Sequence, residues 1–253
     1  MIIAADYRVT IIIGFALLLL NRMKPFIFFD LGQTLIDEWD YINYFDKLLF
    51  ETLNGYGAKI DYRNYFTLRN NILFNRKIGS SGFLDIVLLI AQMTLPKGYG
   101  TIIFNRIKND LLENKRKLIK LYSEVPRIIP LLSDTYSLGI ISNNSSGSAD
   151  LLVKNKLNHY FKTICLSENI GFKKPDPNIF KKAIDHSCIN KQCCVMIGDR
   201  LDIDIGPANE LGIKTIRTLN SIYKVQRPIS KKEKPLYSIN SLSELPYILP
   251  SVF

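Results

Sequence analysis

The sequence predicts an α/β fold in which a Rossmann-like parallel sheet carries an inserted, all-helical cap domain. Three observations support this prediction. Short apolar runs alternate with helix-spaced patterns after residue 123, which is typical of βαβ units. Residues 38–122 show helical spacing and no convincing strand. The chain has 253 residues, of which 47% are hydrophobic and 22% charged, as in an ordinary globular protein.

The first predicted strand is the apolar run FIFF at residues 26–29, which ends in Asp30. Gly32 follows as a turn residue, and Thr34 supplies a hydroxyl. A short apolar run closed by turn residues is typical of a buried strand. Ligands bind outside the carboxyl ends of strands in open α/β sheets. Asp30 is therefore the first candidate for chemistry.

Helical and strand patterns follow along the rest of the chain. Apolar residues at helical spacing predict cap helices at residues 41–53, 62–74, 83–93 and 102–121. The predicted strands after the cap lie at 138–141, 163–166, 194–197 and 214–217, with an edge strand at 236–239. The predicted helices lie at 125–134, 149–155, 178–186, 207–211 and 242–247, and the predicted loop lies at 221–235.

Residues 1–22 form an apolar N-terminal extension. Its apolar run at 9–20 is shorter than the roughly 20 residues of a membrane span, and no small-residue cleavage site follows. Because Met23 directly precedes the first strand region, we expect a start assigned too early and a cytoplasmic protein. A membrane anchor and a packed N-terminal helix are the alternatives. The predicted core domain comprises 23–37 and 123–253, and the cap comprises 38–122.

The net charge of +10 is compatible with anionic ligands. No basic block or aromatic RNA-binding pattern accompanies it, so we expect no nucleic-acid partner. The four cysteines form no CxxC pair, and the two histidines complete no zinc site of familiar spacing. We therefore expect reduced, mostly buried thiols. The sequence leaves the oligomeric state open.

Three further polar clusters follow predicted strands. Ser142 and Asn143 come directly after LGII, and Lys174 lies in GFKKPDP. Asp199 ends VMIGD, with Asp204 close behind. The carboxyl ends of parallel strands meet at one edge of a sheet, so these clusters should converge on Asp30.

The chemistry of the converging groups favours phosphoryl transfer. Asp30, Asp199 and Asp204 offer carboxylate oxygens, which suit Mg²⁺ and would repel one another without a cation. Lys174 and Ser142 supply a positive charge and a donor for phosphate oxygens. A carboxylate nucleophile, a metal ion and a lysine together suit an aspartyl-phosphate intermediate.

In order and spacing, these motifs resemble those of the haloacid dehalogenase-like (HAD) hydrolases that carry a helical cap after the first motif. The resemblance covers roughly residue 23 to the end. The four motifs are FFDLGQTL, GIISN, GFKKPDPNIF and IGDRLDIDIGPANELG.

The resemblance implies a role for each matching residue. Asp30 would attack phosphorus and also ligate Mg²⁺, together with the backbone carbonyl of Gly32 and the carboxylates of Asp199 and Asp204. The substrate and phosphate contacts would come from Thr34, Ser142, Asn143 and Lys174. The expected activity is a Mg²⁺-dependent phosphatase acting on a small phosphorylated metabolite. The alternatives are a binding or weakly active HAD-like protein and a haloacid dehalogenase.

Gly32 departs from the family pattern. Phosphatases of this family usually carry a second Asp there, which protonates the leaving oxygen and then activates water. Its absence disfavours a mutase. Dehalogenases usually show a tyrosine at this position, and the phosphonate-cleaving branch uses a cap lysine, for which Lys59 is one option.

Several other polar residues have structural explanations as their first interpretation. For Asp37 and Glu38 we expect a hinge or helix-start position, with replacement of the missing acid as the alternative. We expect residues 76–82 (RKIGSSG) to form a solvated connection, with substrate contact as the alternative. Asp202 is expected to be a loop acid outside the metal site.

Overall fold

The computed structural model describes residues 24–79, 82–144, 146–187 and 190–253. Its strands are β1 (Phe26–Phe29), β2 (Ile36–Asp37), β3 (Lys120–Leu121), β4 (Ser137–Ser142), β5 (Phe161–Leu166), β6 (Cys194–Gly198), β7 (Lys214–Thr218) and β8 (Tyr237–Ile239). Six of them form one sheet in the order β5-β4-β1-β6-β7-β8. All neighbouring pairs in this sheet are parallel. The predicted α/β fold with a parallel sheet is confirmed.

The strand order reverses direction at β1. The next strands of the sheet, β4 and β5, lie on one side of β1, whereas β6 to β8 lie on the other. Such a switch point leaves a crevice at the carboxyl ends of the strands, where α/β proteins bind ligands. The residues that follow β1 therefore occupy the best-placed position in the fold for a functional site.

β1 is an apolar run because both of its faces are covered. Ile27 and Phe29 belong to one buried cluster, and Phe26 and Phe28 belong to the cluster on the opposite face. A strand that is covered on both faces has no polar side to alternate with the apolar one.

The described helices are α1 (Trp39–Gly55), α2 (Tyr62–Phe74), α3 (Phe83–Thr94), α4 (Tyr99–Leu118), α5 (Val125–Thr135), α6 (Ser146–Lys154), α7 (Ser167–Ile170), α8 (Pro177–Ser187), α9 (Gly206–Glu210) and α10 (Leu245–Ile248). A π-helical turn spans Leu201–Ile205. The predicted loop at 221–235 contains two 3-10 turns, Ile222–Val225 and Lys231–Glu233. The helix predictions are confirmed, with ends that differ by a few residues.

Helices α1 to α4 lie between β2 and β3, which pair antiparallel. The prediction of no strand within 38–122 was wrong at Lys120–Leu121. This strand has only two residues, and its partner Ile36–Asp37 is far away in the sequence. Such a pairing leaves no local periodicity to detect. It brings the entry and exit of the helical segment together beside β1.

One buried cluster extends from the sheet into the helical segment. It includes Ile27 and Phe29 of β1 as well as Phe45, Tyr65 and Ile103 of the helices. The division into a core and a cap at the predicted boundaries stays a prediction. In the part of the chain that the structure describes, no helix has both the length and the apolar character that crossing a bilayer requires. The extension 1–22 lies outside the described residues.

Candidate active site

Strand register brings Asp30 to the middle of the sheet edge. Phe29, the last residue of β1, pairs with Ile140 of β4 and with Ile197 of β6. The Asp30 backbone N–H donates to the Ile197 carbonyl at 2.9 Å. Asp30 is buried and lines a cavity at the switch point of the sheet.

Two donors hold one oxygen of the Asp30 carboxylate. Ser142, the last residue of β4, donates from Oγ to Asp30 Oδ1 at 2.7 Å. Lys174 Nζ donates to the same oxygen at 2.7 Å and to Asp204 Oδ1 at 2.5 Å. Among the described residues, no hydrogen bond reaches Asp30 Oδ2. This oxygen is therefore available to a substrate or a cation.

Lys174 is fully buried, and its position is fixed through the backbone. The Lys174 N–H donates to Asn143 Oδ1 at 2.6 Å, and Asn143 Nδ2 donates to the Lys174 carbonyl at 2.7 Å. Burial alone would lower the pKa of Lys174, but the carboxylates of Asp204 and Asp30 outweigh burial and raise this pKa. The ammonium group therefore stays charged.

Asp199 and Asp204 come together because the chain turns tightly after β6. A Cβ on Gly198 would lie 2.6 Å from Cβ and Cγ of Asp204, so the glycine leaves the space that Asp204 occupies. The Arg200 N–H donates to Asp204 Oδ2 at 3.0 Å. Ser221 Oγ donates to Asp199 Oδ2 at 2.5 Å. Both carboxylates are thereby fixed beside Asp30.

The three aspartates have the donor set of a site for a hard divalent cation. Asp30, Asp199 and Asp204 offer carboxylate oxygens that all lie within 4.8 Å of one another. Burial, together with the charges of Asp204 and Asp30, raises the pKa of Asp199 well above its ordinary value. Lys174 supplies one positive charge against three carboxylates, so a bound cation would offset the remaining negative charge. Oxygen donors of this kind fit Mg²⁺ or Ca²⁺.

Glu38 lies beside Gly32, at the position where the family pattern has an acid. A Cβ on Gly32 would lie 3.4 Å from Glu38 Oε2 and 3.7 Å from Oε1. Burial raises the pKa of Glu38 to about 7 despite the opposing charge of Lys115, and the charges of Asp30 and Asp37 add to the rise. Glu38 is thus an acidic group of the same cavity.

The cavity in front of Asp30 has a volume of about 240 Å³. The sequence-predicted residues that line it are Asp30, Gly32, Glu38, Ser142, Asn143, Lys174 and Asp199. Residues that sequence reasoning missed also line it: Gln33, Phe83, Lys115, Asn144, Arg200, Ile203 and Tyr223. Lys115 of α4 and Tyr223 reach the cavity only through tertiary packing, and no local motif marks them. Four other residues of this group lie within or directly beside the four motifs: Gln33, Asn144, Arg200 and Ile203. Their closeness to motif residues was the sequence signal that could have identified them.

Predicted residues that are absent from the cavity lining include Asp204, Thr34 and Lys59. The Thr34 hydroxyl is buried, has no hydrogen-bond partner among the described residues and is not part of the cavity lining. Its role stays a prediction. Lys59 is exposed and lies outside the lining. The lysine of the helical segment that lines the cavity is Lys115 of α4.

At Arg76 the connection differs from the solvated segment that we expected for 76–82, of which residues 80 and 81 lie outside the described residues. Arg76 forms a bidentate ion pair with Glu233, and Arg76 Nη2 also donates to the Arg227 carbonyl at 2.6 Å. Only 13% of the Arg76 side chain and 12% of the Glu233 side chain are exposed, which rules out free solvation. Gly82, at the end of this connection, lines the cavity.

Asp202 lies outside the aspartate cluster, as predicted. Arg200 Nη2 donates to Asp202 Oδ2 at 2.6 Å, and Arg200 Nε donates to Oδ1 at 3.0 Å. Burial would raise the pKa of Asp202, but the bonds from Arg200 outweigh it and lower this pKa. The same guanidinium lies 4.6 Å from the centre of the Tyr223 ring. Asp202 therefore positions Arg200 at the cavity wall.

Comparison with known proteins agrees with this geometry. A family model described as haloacid dehalogenase-like hydrolase matches residues 27–218, which is roughly three quarters of the chain. The chain belongs to the haloacid dehalogenase-like hydrolases. The predicted family and hydrolase class are thereby confirmed.

Other members of the HAD-like hydrolases resemble this one over most of their length. A glyceraldehyde 3-phosphate phosphatase from Methanocaldococcus jannaschii is 28% identical over 225 residues, covering 87% of this chain and 94% of the relative. The enzyme of the same name from Pyrococcus furiosus is 28% identical over 241 residues, covering 91% and 94%.

Solved structures of HAD-like hydrolases share the fold. The HAD-hydrolase YfnB from Bacillus subtilis superposes with a TM-score of 0.64 at 21% identity, covering 90% of this chain and 99% of YfnB. A predicted phosphoglycolate phosphatase from Haemophilus somnus gives a TM-score of 0.65 at 16% identity, covering 89% and 98%.

Proposed function

We propose that this HAD-like hydrolase is a Mg²⁺-dependent phosphatase that cleaves a small phosphate monoester through an aspartyl-phosphate on Asp30. The observation that carries the proposal is the fixed position of the Asp30 carboxylate. One of its oxygens accepts hydrogen bonds from Ser142 and Lys174. Asp30 also lines a small cavity together with the acids Glu38 and Asp199. A carboxylate that is fixed in this way is a suitable nucleophile.

In the first step, a carboxylate oxygen of Asp30 attacks phosphorus, and the bond from phosphorus to the leaving oxygen breaks. That oxygen takes a proton from a donor group of the site and departs as an alcohol. In the second step, water attacks phosphorus and returns a proton to that group, the bond from phosphorus to Asp30 breaks, inorganic phosphate leaves and the Asp30 carboxylate is restored. Ser142 and Lys174 keep the nucleophile oriented, and the Lys174 ammonium offsets negative charge throughout.

The metal would be held by the carboxylates of Asp30, Asp199 and Asp204 and by the backbone carbonyl of Gly32. When bound, Mg²⁺ supplies positive charge to the phosphoryl oxygens. Ser221 orients Asp199, and the backbone N–H of Arg200 orients Asp204. Such outer contacts keep metal ligands in position.

The substrate is proposed to be as small as a triose phosphate. The cavity volume of about 240 Å³ is below the roughly 300–1,000 Å³ of pockets for drug-sized ligands. The relatives named glyceraldehyde 3-phosphate phosphatase make that compound the first substrate to test. Lys115 from α4 and Arg200 add positive charge at the cavity wall, which favours an anionic substrate.

The test is release of inorganic phosphate from glyceraldehyde 3-phosphate and a panel of small phosphate esters. We expect turnover that requires Mg²⁺, stops with EDTA and falls by at least about 10³-fold in Asp30→Asn. Asp134→Asn is the matched control, because Asp134 is exposed and precedes β4 at the opposite edge of the sheet. It should retain full activity.

Three outcomes would contradict the proposal. Wild-type protein that releases no phosphate from any ester of the panel would exclude a phosphatase of this class. Phosphate that stays bound covalently to Asp30 without release would instead favour the binding or weakly active alternative. Release of halide from a haloacid without Mg²⁺ would favour a dehalogenase.

A further inference from the structure

Cleavage of an alkyl phosphate ester needs a proton donor beside the leaving oxygen and a base for the attacking water. Three acids line the cavity in the described part of the chain: Asp30, Glu38 and Asp199. Asp30 is the proposed nucleophile, and Asp199 is a proposed metal ligand whose carboxylate also receives the Ser221 hydroxyl. Lys174 is bonded to two carboxylates. Glu38 is the acid that these roles leave over.

The position of the Glu38 carboxyl suits that task. It lies within 4 Å of the place where a side chain on Gly32 would begin, two residues after Asp30. A Cβ at residue 32 would only touch this carboxyl, so the longer Glu38 side chain reaches from the start of α1 to the surface of Gly32. Glu38 thereby places a carboxyl group on the wall of the cavity that Asp30 also lines.

The Glu38 side chain does not cap the start of α1. It precedes α1, yet its side chain makes no cap hydrogen bond. The helix-start contact comes from Asp37, whose Oδ1 accepts from the Trp39 N–H at 2.9 Å. Among the described residues, no hydrogen bond reaches the Glu38 carboxyl. A half-buried acid without a capping bond, on the wall of a reactive cavity, is placed for proton transfer rather than for helix stability.

We propose that Glu38 is the proton donor and acceptor of this hydrolase. This assignment of Glu38 rests on the phosphatase function proposed above. As Asp30 attacks phosphorus, Glu38 gives its proton to the leaving oxygen, so that an alcohol departs and Glu38 becomes a carboxylate. That carboxylate then takes a proton from the water that attacks the aspartyl-phosphate. Phosphate and Asp30 are released, and Glu38 is protonated again.

The first test compares Glu38→Gln with wild type on two kinds of ester. On an alkyl ester such as glyceraldehyde 3-phosphate, we expect kcat to fall about 10²–10⁴-fold, the usual range for general acid–base catalysis. On p-nitrophenyl phosphate, whose leaving group needs no proton, we expect a burst of about one nitrophenol per enzyme followed by slow turnover. Phosphate should then accumulate on Asp30. Glu51→Gln on α1 is the control, because Glu51 is exposed.

The second test places a carboxyl group at residue 32 instead of residue 38. Gly32→Asp alone brings a second acid against Glu38, and we expect no gain in turnover on the alkyl ester. The double variant Gly32→Asp, Glu38→Gln should turn over the alkyl ester at least about 10-fold faster than Glu38→Gln alone. A carboxyl group at either position would then serve the same step.

The outcomes separate this proposal from the one on which it rests. If wild type releases phosphate and Glu38→Gln keeps its full kcat on the alkyl ester, Glu38 is not the acid, although the phosphatase stands. Equal losses on both esters without a burst would indicate a structural role and would also overturn the proposal. A wild type that is inactive on both esters and on the whole ester panel would instead reject the phosphatase function itself.

Discussion

Two glycines at the sheet edge lie against carboxyl groups from further along the chain. Gly198 leaves the space that Asp204 fills, since a Cβ there would lie 2.6 Å from the Asp204 side chain. At Gly32 a Cβ would only touch the Glu38 carboxyl, at 3.4 Å. At both positions an acid from further along the chain comes to lie against a glycine that follows or ends a strand. The absence of an acid at one position is therefore no measure of the acids available to the site.

The pKa of Glu38 leads to a prediction about stability in the metal-free protein. Burial raises this pKa to about 7, against an opposing effect of Lys115. Between the ordinary value of 4.5 and about 7, the unfolded chain holds fewer protons on Glu38 than the folded chain does. Stability is then lost as the pH rises through this window. The charges that face Glu38, besides Lys115, are those of Asp30 and Asp37.

Glu38→Gln should therefore raise the melting temperature at pH 8 by a few degrees and leave it nearly unchanged at pH 4.5. Thermal unfolding in EDTA at both pH values measures this, with Glu51→Gln as the control that should show no such pH dependence. An equal change at both pH values would mean that ionisation of Glu38 carries no cost in the fold.

Much of the site could be predicted residue by residue because it follows strand ends. Asp30, Ser142 and Asp199 lie at the ends of β1, β4 and β6 and thus meet at one edge. Ser221 and Tyr223 could not be found in this way. They come from a stretch after β7 without apolar periodicity, and their place beside Asp199 and Arg200 depends on tertiary packing.

At the scale of elements, a buried polar network joins α1 to α2. Asp46 forms an ion pair with Arg69 and accepts from the Tyr65 hydroxyl at 2.7 Å. Asp46 is 1% exposed and Arg69 8%. The guanidinium carbon of Arg69 also lies 4.6 Å from the centre of the Phe66 ring. The network fixes how the first two helices of the inserted segment pack.

We predict that Asp46→Ala destabilises the protein by about 3–5 kcal/mol. Removal of the carboxylate leaves the Arg69 charge buried without its partner, which costs more than the pair contributes when intact. Urea unfolding measures the loss. The control is Arg63→Ala, at an exposed position of α2, the helix that carries Arg69. It should change the free energy of unfolding by no more than about 0.5 kcal/mol. Similar values for the two variants would show that the pair is dispensable.

Helices α1 to α4 could be predicted because each buries one apolar face. In α1, for example, Ile42, Phe45 and Leu49 recur at helical spacing and are all buried. The pairing of β2 with β3 could not be predicted, since each strand has two residues and the partners are joined only in the folded chain. Local pattern thus determines the helices, whereas their anchoring beside the sheet is a tertiary property.

At the scale of the whole molecule, polar contacts connect the helical segment to the C-terminal half of the sheet. Arg200, next to the aspartates, donates to the carbonyls of Ile78 and Gly79 at 3.4 Å each. Arg76 pairs with Glu233 in the turn before β8. These contacts hold the connection between α2 and α3 against the half of the sheet that supplies Asp199 and Asp204. The walls of the cavity therefore come from both parts of the chain.

The ion pair of Arg76 with Glu233 should contribute measurably to this connection. Both side chains are mostly buried, the pairing is bidentate, and the Ile229 N–H donates to the same carboxylate at 3.0 Å. For such geometry we expect a coupling free energy of about 1–3 kcal/mol in a double-mutant cycle of Arg76→Gln and Glu233→Gln, measured by urea unfolding. The matched control is the surface pair of Lys232 with Glu210. Lys232 Nζ lies 2.9 Å from Glu210 Oε1, and the two side chains are 65% and 52% exposed. Solvent screening should keep its coupling below about 0.5 kcal/mol. Equal couplings in the two cycles would mean that the pair of Arg76 with Glu233 adds no more to the fold than a surface pair.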